Sequence, residues 1–207
     1  HYMLKNLIRA PTAAPHYFAS EPISILMDQP PGLFVDGGVT PHNTPALLFA
    51  MLATIPAYGF GWPLGADNLT IVSIGTGAYR RTLRPDASRR KTSAELAVRA
   101  LAGLVIDSEE HTLALCQWLG RTPTPWVVHS EVGTDEVGPP QLFTFLRYNV
   151  RLEREWLEAE LGVSVDARQL AMLQEIDNPA AIPLAYDIGR RAADRFVVPE
   201  HLASLAG

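Results

Sequence analysis

Two short apolar runs in this chain each stop at a glycine-bounded turn, and no other feature restricts the fold as much. Leu33 to Val35 is closed by Asp36-Gly37-Gly38, and the β-branched run Leu69 to Ile74 by Gly75-Thr76-Gly77. Each pattern predicts a buried strand whose C-terminal end enters a loop needing unusual backbone angles. Helical stretches lie between and beyond them. Pro45 suits a first helical turn, and the apolar residues Ala46 to Ile55 follow it until Pro56, which predicts a buried helix apolar on nearly all sides. Thr92 and Glu95 have capping-box spacing for a long helix towards Leu119. Leu142 to Val150 has strand composition, and Leu170 to Ala206 predicts two or three short amphipathic helices. Pro56 to Asp67, Arg80 to Lys91 and Arg121 to Gly138 read as loops, for their Gly, Pro or charge content. Strands alternating with helices predict an α/β fold around a mostly parallel sheet, in a chain whose 207 residues suit one domain.

Composition excludes several functions. The 47% hydrophobic and 19% charged content is that of a globular chain, and no apolar run approaches the roughly 18 residues of a membrane span. A net charge of −5 and a pI near 5.7 provide no basic field for a phosphate backbone, so nucleic acid is not an expected partner. The single cysteine, Cys116, cannot form an internal disulfide and reads as a small buried hydrophobe. The chain starts at His1 with no basic and apolar leader, and we expect His1 to be a point within a domain rather than a natural terminus.

Few residues combine into a reactive group. Asp36 before two glycines is either a turn cap or an acid that glycine lets another group approach closely. Thr76 sits between glycines after a strand, but Ile74 stands where a nucleophile elbow needs glycine, so a structural turn is expected. Ser73, and Ser130 beside His129, lack a fitted acid and read as ordinary polar residues. The six histidines show no metal-ligand spacing, and Glu109, Glu110 and His111 should diverge on a solvated helix face. Gly59-Phe60-Gly61 does not extend to a dinucleotide fingerprint, and no cofactor is expected. Tyr58, Phe60 and Trp62 either cover the core or form an acyl-chain wall or membrane-touching rim. The basic cluster from Arg80 to Lys91 is a solvated loop or a contact for anionic head groups.

Taken together, three segments resemble consecutive stretches of the patatin-like phospholipase family: RAPTAAPHYF from Arg9 to Phe18, LFVDGGVTPHNTPAL from Leu33 to Leu47, and LTIVSIGTG from Leu69 to Gly77. FLRYNVRLE from Phe145 to Glu153 and the stretch YDIGRRAADRFVVPEHL are similar to the C-terminal part of bacterial members. The resemblance implies a three-layer α/β/α hydrolase with a Ser–Asp dyad, of which this chain is the C-terminal portion. Asp36 matches the dyad aspartate of the DGG motif, with Gly37 and Gly38 as its glycines. Asn43 matches the first Asn of Asn-Asn-Pro, while Thr44 replaces the second and Pro11 stands where the family has Ser; neither replacement is assigned a role.

No GxSxG and no glycine-rich oxyanion loop occurs in the 207 residues; both lie upstream of DGG in the family. The chain alone is therefore expected to be inert, because an acid without nucleophile and oxyanion donors does little to an ester. The expected partners are a lipid or ester substrate, the half carrying the serine, and peripheral contact with a membrane. A non-catalytic lipid-binding or interaction module is the alternative.

Overall fold

The apolar runs do form strands, but of two different kinds. A computed structural model describes residues 3–15, 17–24, 29–80, 92–128, 141–175 and 177–205. The expected basic loop at 81–91, and Ser130 with His129, lie outside these residues. Two compact units divide the chain, His1–Gly61 with Arg90–Cys116, and Trp62–Arg89 with Gln117–Gly207.

The first unit opens with helix α1 (Leu4–Arg9), which tightens into a 3-10 turn at Ala10–Thr12 where Pro11 removes a backbone donor. Strand β1 (Glu21–Ile23) pairs antiparallel with β2 (Gly32–Phe34), Pro22 standing opposite Leu33. This corrects the expectation of a buried strand at Leu33 to Val35. Leu33 is 71% exposed, because three residues paired to a single proline-containing partner bury little on either face.

Helix α2 (Ala46–Thr54) follows Pro45 and stops before Pro56. Only Ala46 and Ala50, one helical turn apart, are buried, whereas Phe49 is 60% exposed. The expected burial on all sides is thus corrected to one small-residue stripe. Most of the long helix α3 (Ser93–Leu119) belongs to this unit, and Leu113 and Cys116 are buried on it.

The second unit is α/β, built on a three-stranded parallel sheet in the order β3-β5-β4. Strand β5 (Phe143–Tyr148) is central and buried through Arg147, as a parallel strand with neighbours on both sides should be. Strand β3 (Thr70–Ile74) pairs with it from Thr70↔Thr144 to Ile74↔Tyr148.

Strand β4 (Gly120–Thr124) occupies a stretch whose prolines predict a loop. It takes one side of β5 only, and the register shifts between Arg121 and Thr124, so Pro123 sits where no ladder donor is required.

After β5 come α4 (Arg154–Leu161), α5 (Ala167–Leu173), α6 (Ile182–Phe196) and a 3-10 turn at Pro199–Leu205. Helix α4, absent from the sequence-based expectations, ends where Gly162 takes φ 62° and Val163 N–H reaches Leu157 C=O at 3.0 Å. A reciprocal Asp166–Gln169 capping box starts α5. Leu152, Leu157, Leu161, Val165, Leu173 and Ile188 bury one another into the helical core of this unit.

Candidate functional site

Asp36 stands two residues beyond β2, at the N-terminus of a 3-10 turn over Gly37–Val39. Its Oδ1 accepts the N–H of Gly38 at 2.6 Å, a charge-assisted cap of its own turn. Its backbone N–H donates to the carbonyl of Ala13 at 3.1 Å, and Ala13 is only 1% exposed. A buried segment thus fixes the backbone of Asp36, and its turn fixes one carboxylate oxygen. The residue itself is half-buried.

Neither Gly37 nor Gly38 adopts a positive φ, which corrects the expectation of unusual backbone angles. Close approach explains the second glycine instead. A Cβ on residue 38 would lie 3.0 Å from Asp36 Oδ1 and 3.5 Å from Asn43 Oδ1. At residue 37 the nearest atom would be His42 O at 3.9 Å, an ordinary contact.

Asn43 ends a second 3-10 turn, Pro41–Asn43, capped by Thr40 Oγ1, which accepts the N–H of His42 at 3.1 Å. The Asn43 carboxamide donates from Nδ2 to Glu109 Oε2 at 3.1 Å. Glu109 therefore does more than present a solvated face. It anchors Asn43, and nothing in the sequence marks this, because the two residues are 66 positions apart. Thr44, at the departure from Asn-Asn-Pro, is 3% exposed.

The other candidates resolve as structural groups. Thr76 is exposed, while a Cβ on Gly75 would collide with the Asn149 carboxamide and one on Gly77, at φ 105°, would meet Leu152. Asn149 Oδ1 accepts from both Gly77 N–H and Val150 N–H at 2.9 Å, which ties the loop after β3 to the loop after β5. Ser73 Oγ accepts from Arg147 Nη1 at 2.8 Å, so it faces a cation and not a base. Tyr58, Phe60 and Trp62 are 51%, 64% and 56% exposed, which removes the core-covering role and leaves an apolar surface loop.

Among the described residues no group of three or more His, Cys, Asp or Glu side chains could hold a metal ion. Among the same residues, no helix is long and apolar enough to cross a membrane. Comparisons with family models, with curated proteins and with solved structures find no match to this chain.

Proposed function

We propose that this chain is the C-terminal portion of a patatin-like serine acyl hydrolase acting on carboxylic esters of lipids, and that Asp36 is its dyad base. The observation that carries the reading is the hydrogen bond from Asp36 N–H to Ala13 O, which joins two of the segments whose order resembles the family. In the complete protein, a serine from the missing half attacks the ester carbonyl through Oγ while Asp36 takes its proton. Oxyanion donors from that half hold the developing charge, the alcohol leaves with a proton, and water attacks the acyl-serine with Asp36 again as base.

Capping Gly38 does not bar this role. A carboxylate has two oxygens and about four lone-pair sites, and the cap uses one oxygen. The exposed aromatic loop at Tyr58, Phe60 and Trp62 suits peripheral contact with the lipid phase. The remaining sheet layers and the glycine-rich oxyanion loop belong to the same proposal.

One observation favours the alternative, a non-catalytic lipid-binding or interaction module: the Asp36 carboxylate already serves as a turn cap, a role Asn fills equally well. Asp36→Asn in the protein carrying the serine separates the two. Loss of ester turnover with folding intact supports the hydrolase, and unchanged turnover supports the module.

A further inference from the structure

A cavity of about 350 Å³ opens at the C-terminal ends of β4 and β5, in the crevice position where parallel sheets commonly receive ligands. Three aromatic rings line it beside Arg147, Arg151 and, exposed to solvent, Glu160. Trp126 follows β4, Trp156 comes from α4 and Phe196 from α6, the last two with ring centroids 6.0 Å apart. The backbone of Trp126 is fixed, since Gln117 Oε1 accepts its main-chain N–H at 2.6 Å and Gln117 Nε2 donates to its main-chain carbonyl at 2.9 Å.

Arg151 sets a cation against one of these rings. Its guanidinium lies over the Trp126 ring, 5.3 Å from the centroid, and donates from Nη2 to Val127 O at 2.8 Å. Among the described residues no carboxylate forms an ion pair with it. A guanidinium has five N–H donors in a planar fork, so stacking and one carbonyl leave capacity for a second planar acceptor. Beside it, Tyr148 Oη and His201 Nδ1 are 3.0 Å apart, and burial raises the Tyr148 pKa, which keeps its hydroxyl protonated.

We propose that this cavity binds a small carboxylate carried on an aromatic or cyclic apolar body, with Arg151 taking the carboxylate and Trp126, Trp156 and Phe196 enclosing the ring. Bare inorganic phosphate fits poorly, because aromatic walls would strip its hydration and Arg151 replaces little of it, Arg147 on the same lining already donating from Nη1 to Ser73 Oγ at 2.8 Å. The volume suits a ligand at the small end of the usual range of roughly 300 to 1,000 Å³. The inference does not rest on the hydrolase reading, as Asp36 takes no part in it.

The test is a tryptophan-fluorescence titration of the 207-residue chain with phenylacetate, its neutral analogue phenylacetamide, and inorganic phosphate. Phenylacetate should saturate the signal, and the amide and phosphate should each bind at least roughly tenfold more weakly, the value of one charge-assisted contact. Arg151→Gln should weaken phenylacetate by a similar factor with an unchanged melting temperature, and Arg151→Lys should fall between. Absence of saturable phenylacetate binding overturns the proposal, as does equal binding of acid and amide. Phosphate binding as tight as phenylacetate, or a folded Arg151→Gln that binds like wild type, does the same. Should Arg151→Gln fail to fold, the acid–amide comparison on the wild-type chain decides alone.

Discussion

Asn149 reaches across the strand ends so that its Oδ1 accepts the N–H of Gly77 at 2.9 Å, and its carboxamide fills the space a side chain on Gly75 would need. Gly75 thus serves packing, whereas Gly77 also holds a φ of 105° that other residues rarely adopt. Gly75→Ala should destabilise the chain by about 1–3 kcal/mol, the cost of forcing volume into a filled site. Gly189 is the control, being exposed on α6 with nothing within 4 Å of an added Cβ. Gly189→Ala should stabilise by about 0.5–1 kcal/mol, because glycine weakens a helix interior. Urea denaturation midpoints check both, and a Gly75→Ala midpoint at or above wild type would refute the packing account.

Asp36→Asn, measured in the protein that carries the serine, should lower ester turnover by about 10² to 10⁴-fold, the range of a positioned general base. Thermal stability should change little, since Asn retains the capping oxygen. Turnover within a few-fold of wild type would remove Asp36 from the mechanism.

The two glycines after Asp36 should respond differently to alanine. Gly38→Ala pushes a methyl against Asp36 Oδ1 and threatens the 2.6 Å cap, for a cost of about 1 kcal/mol, whereas Gly37→Ala meets only ordinary contacts. Melting temperatures of the pair provide the check; equal values would mean the cap contributes nothing.

On α6, Asp187 accepts from Arg190 Nη2 at 3.0 Å and Arg191 Nε at 2.8 Å. These bonds, that of Arg190 foremost, hold its carboxyl below the ordinary value of 3.8. A depressed native pKa stabilises above the unfolded pKa, and the contribution is lost as pH falls through the native one. Asp187→Asn should therefore lower the melting temperature at neutral pH, and the gap should close as the medium is acidified below 3.8. A gap that persists unchanged in acid would assign the effect to something other than the charge.

If the chain works on lipid as proposed, Phe60 and Trp62, each more than half exposed, should touch the lipid phase. Flotation with zwitterionic phosphatidylcholine vesicles should detect binding of the chain, and Phe60→Ala and Trp62→Ala should each weaken it by roughly tenfold or more, as apolar burial of one large side chain implies. Binding that survives both substitutions would place the contact elsewhere.

Local chemistry by itself determined where most elements lie. Proline at 45 and 56 brackets α2, glycine after Ile74 ends β3, and the apolar composition of 142–150 marks the strand that becomes β5. These signals act through backbone angles and missing donors within a few residues, which any reading of the chain can use. Helices α4 and α5 carry similar signals, Leu157 with Leu161 and the Asp166–Gln169 box, but each is too short for periodicity alone to mark it.

Partnership was decided by the tertiary structure. An apolar strand pattern does not reveal whether its faces are covered, so Leu33 is exposed while Phe145 is fully buried. Pro123 argues against a strand until the fold sets β4 on one side of β5 only. The pairing of Asn43 with Glu109, the clamp of Asn149 on Gly77 and the meeting of Trp126, Arg151 and Phe196 around one cavity each join residues from distant parts of the chain. Such contacts depend on chain topology and on which surfaces meet, and a pattern with a period of two or 3.6 residues carries no record of either.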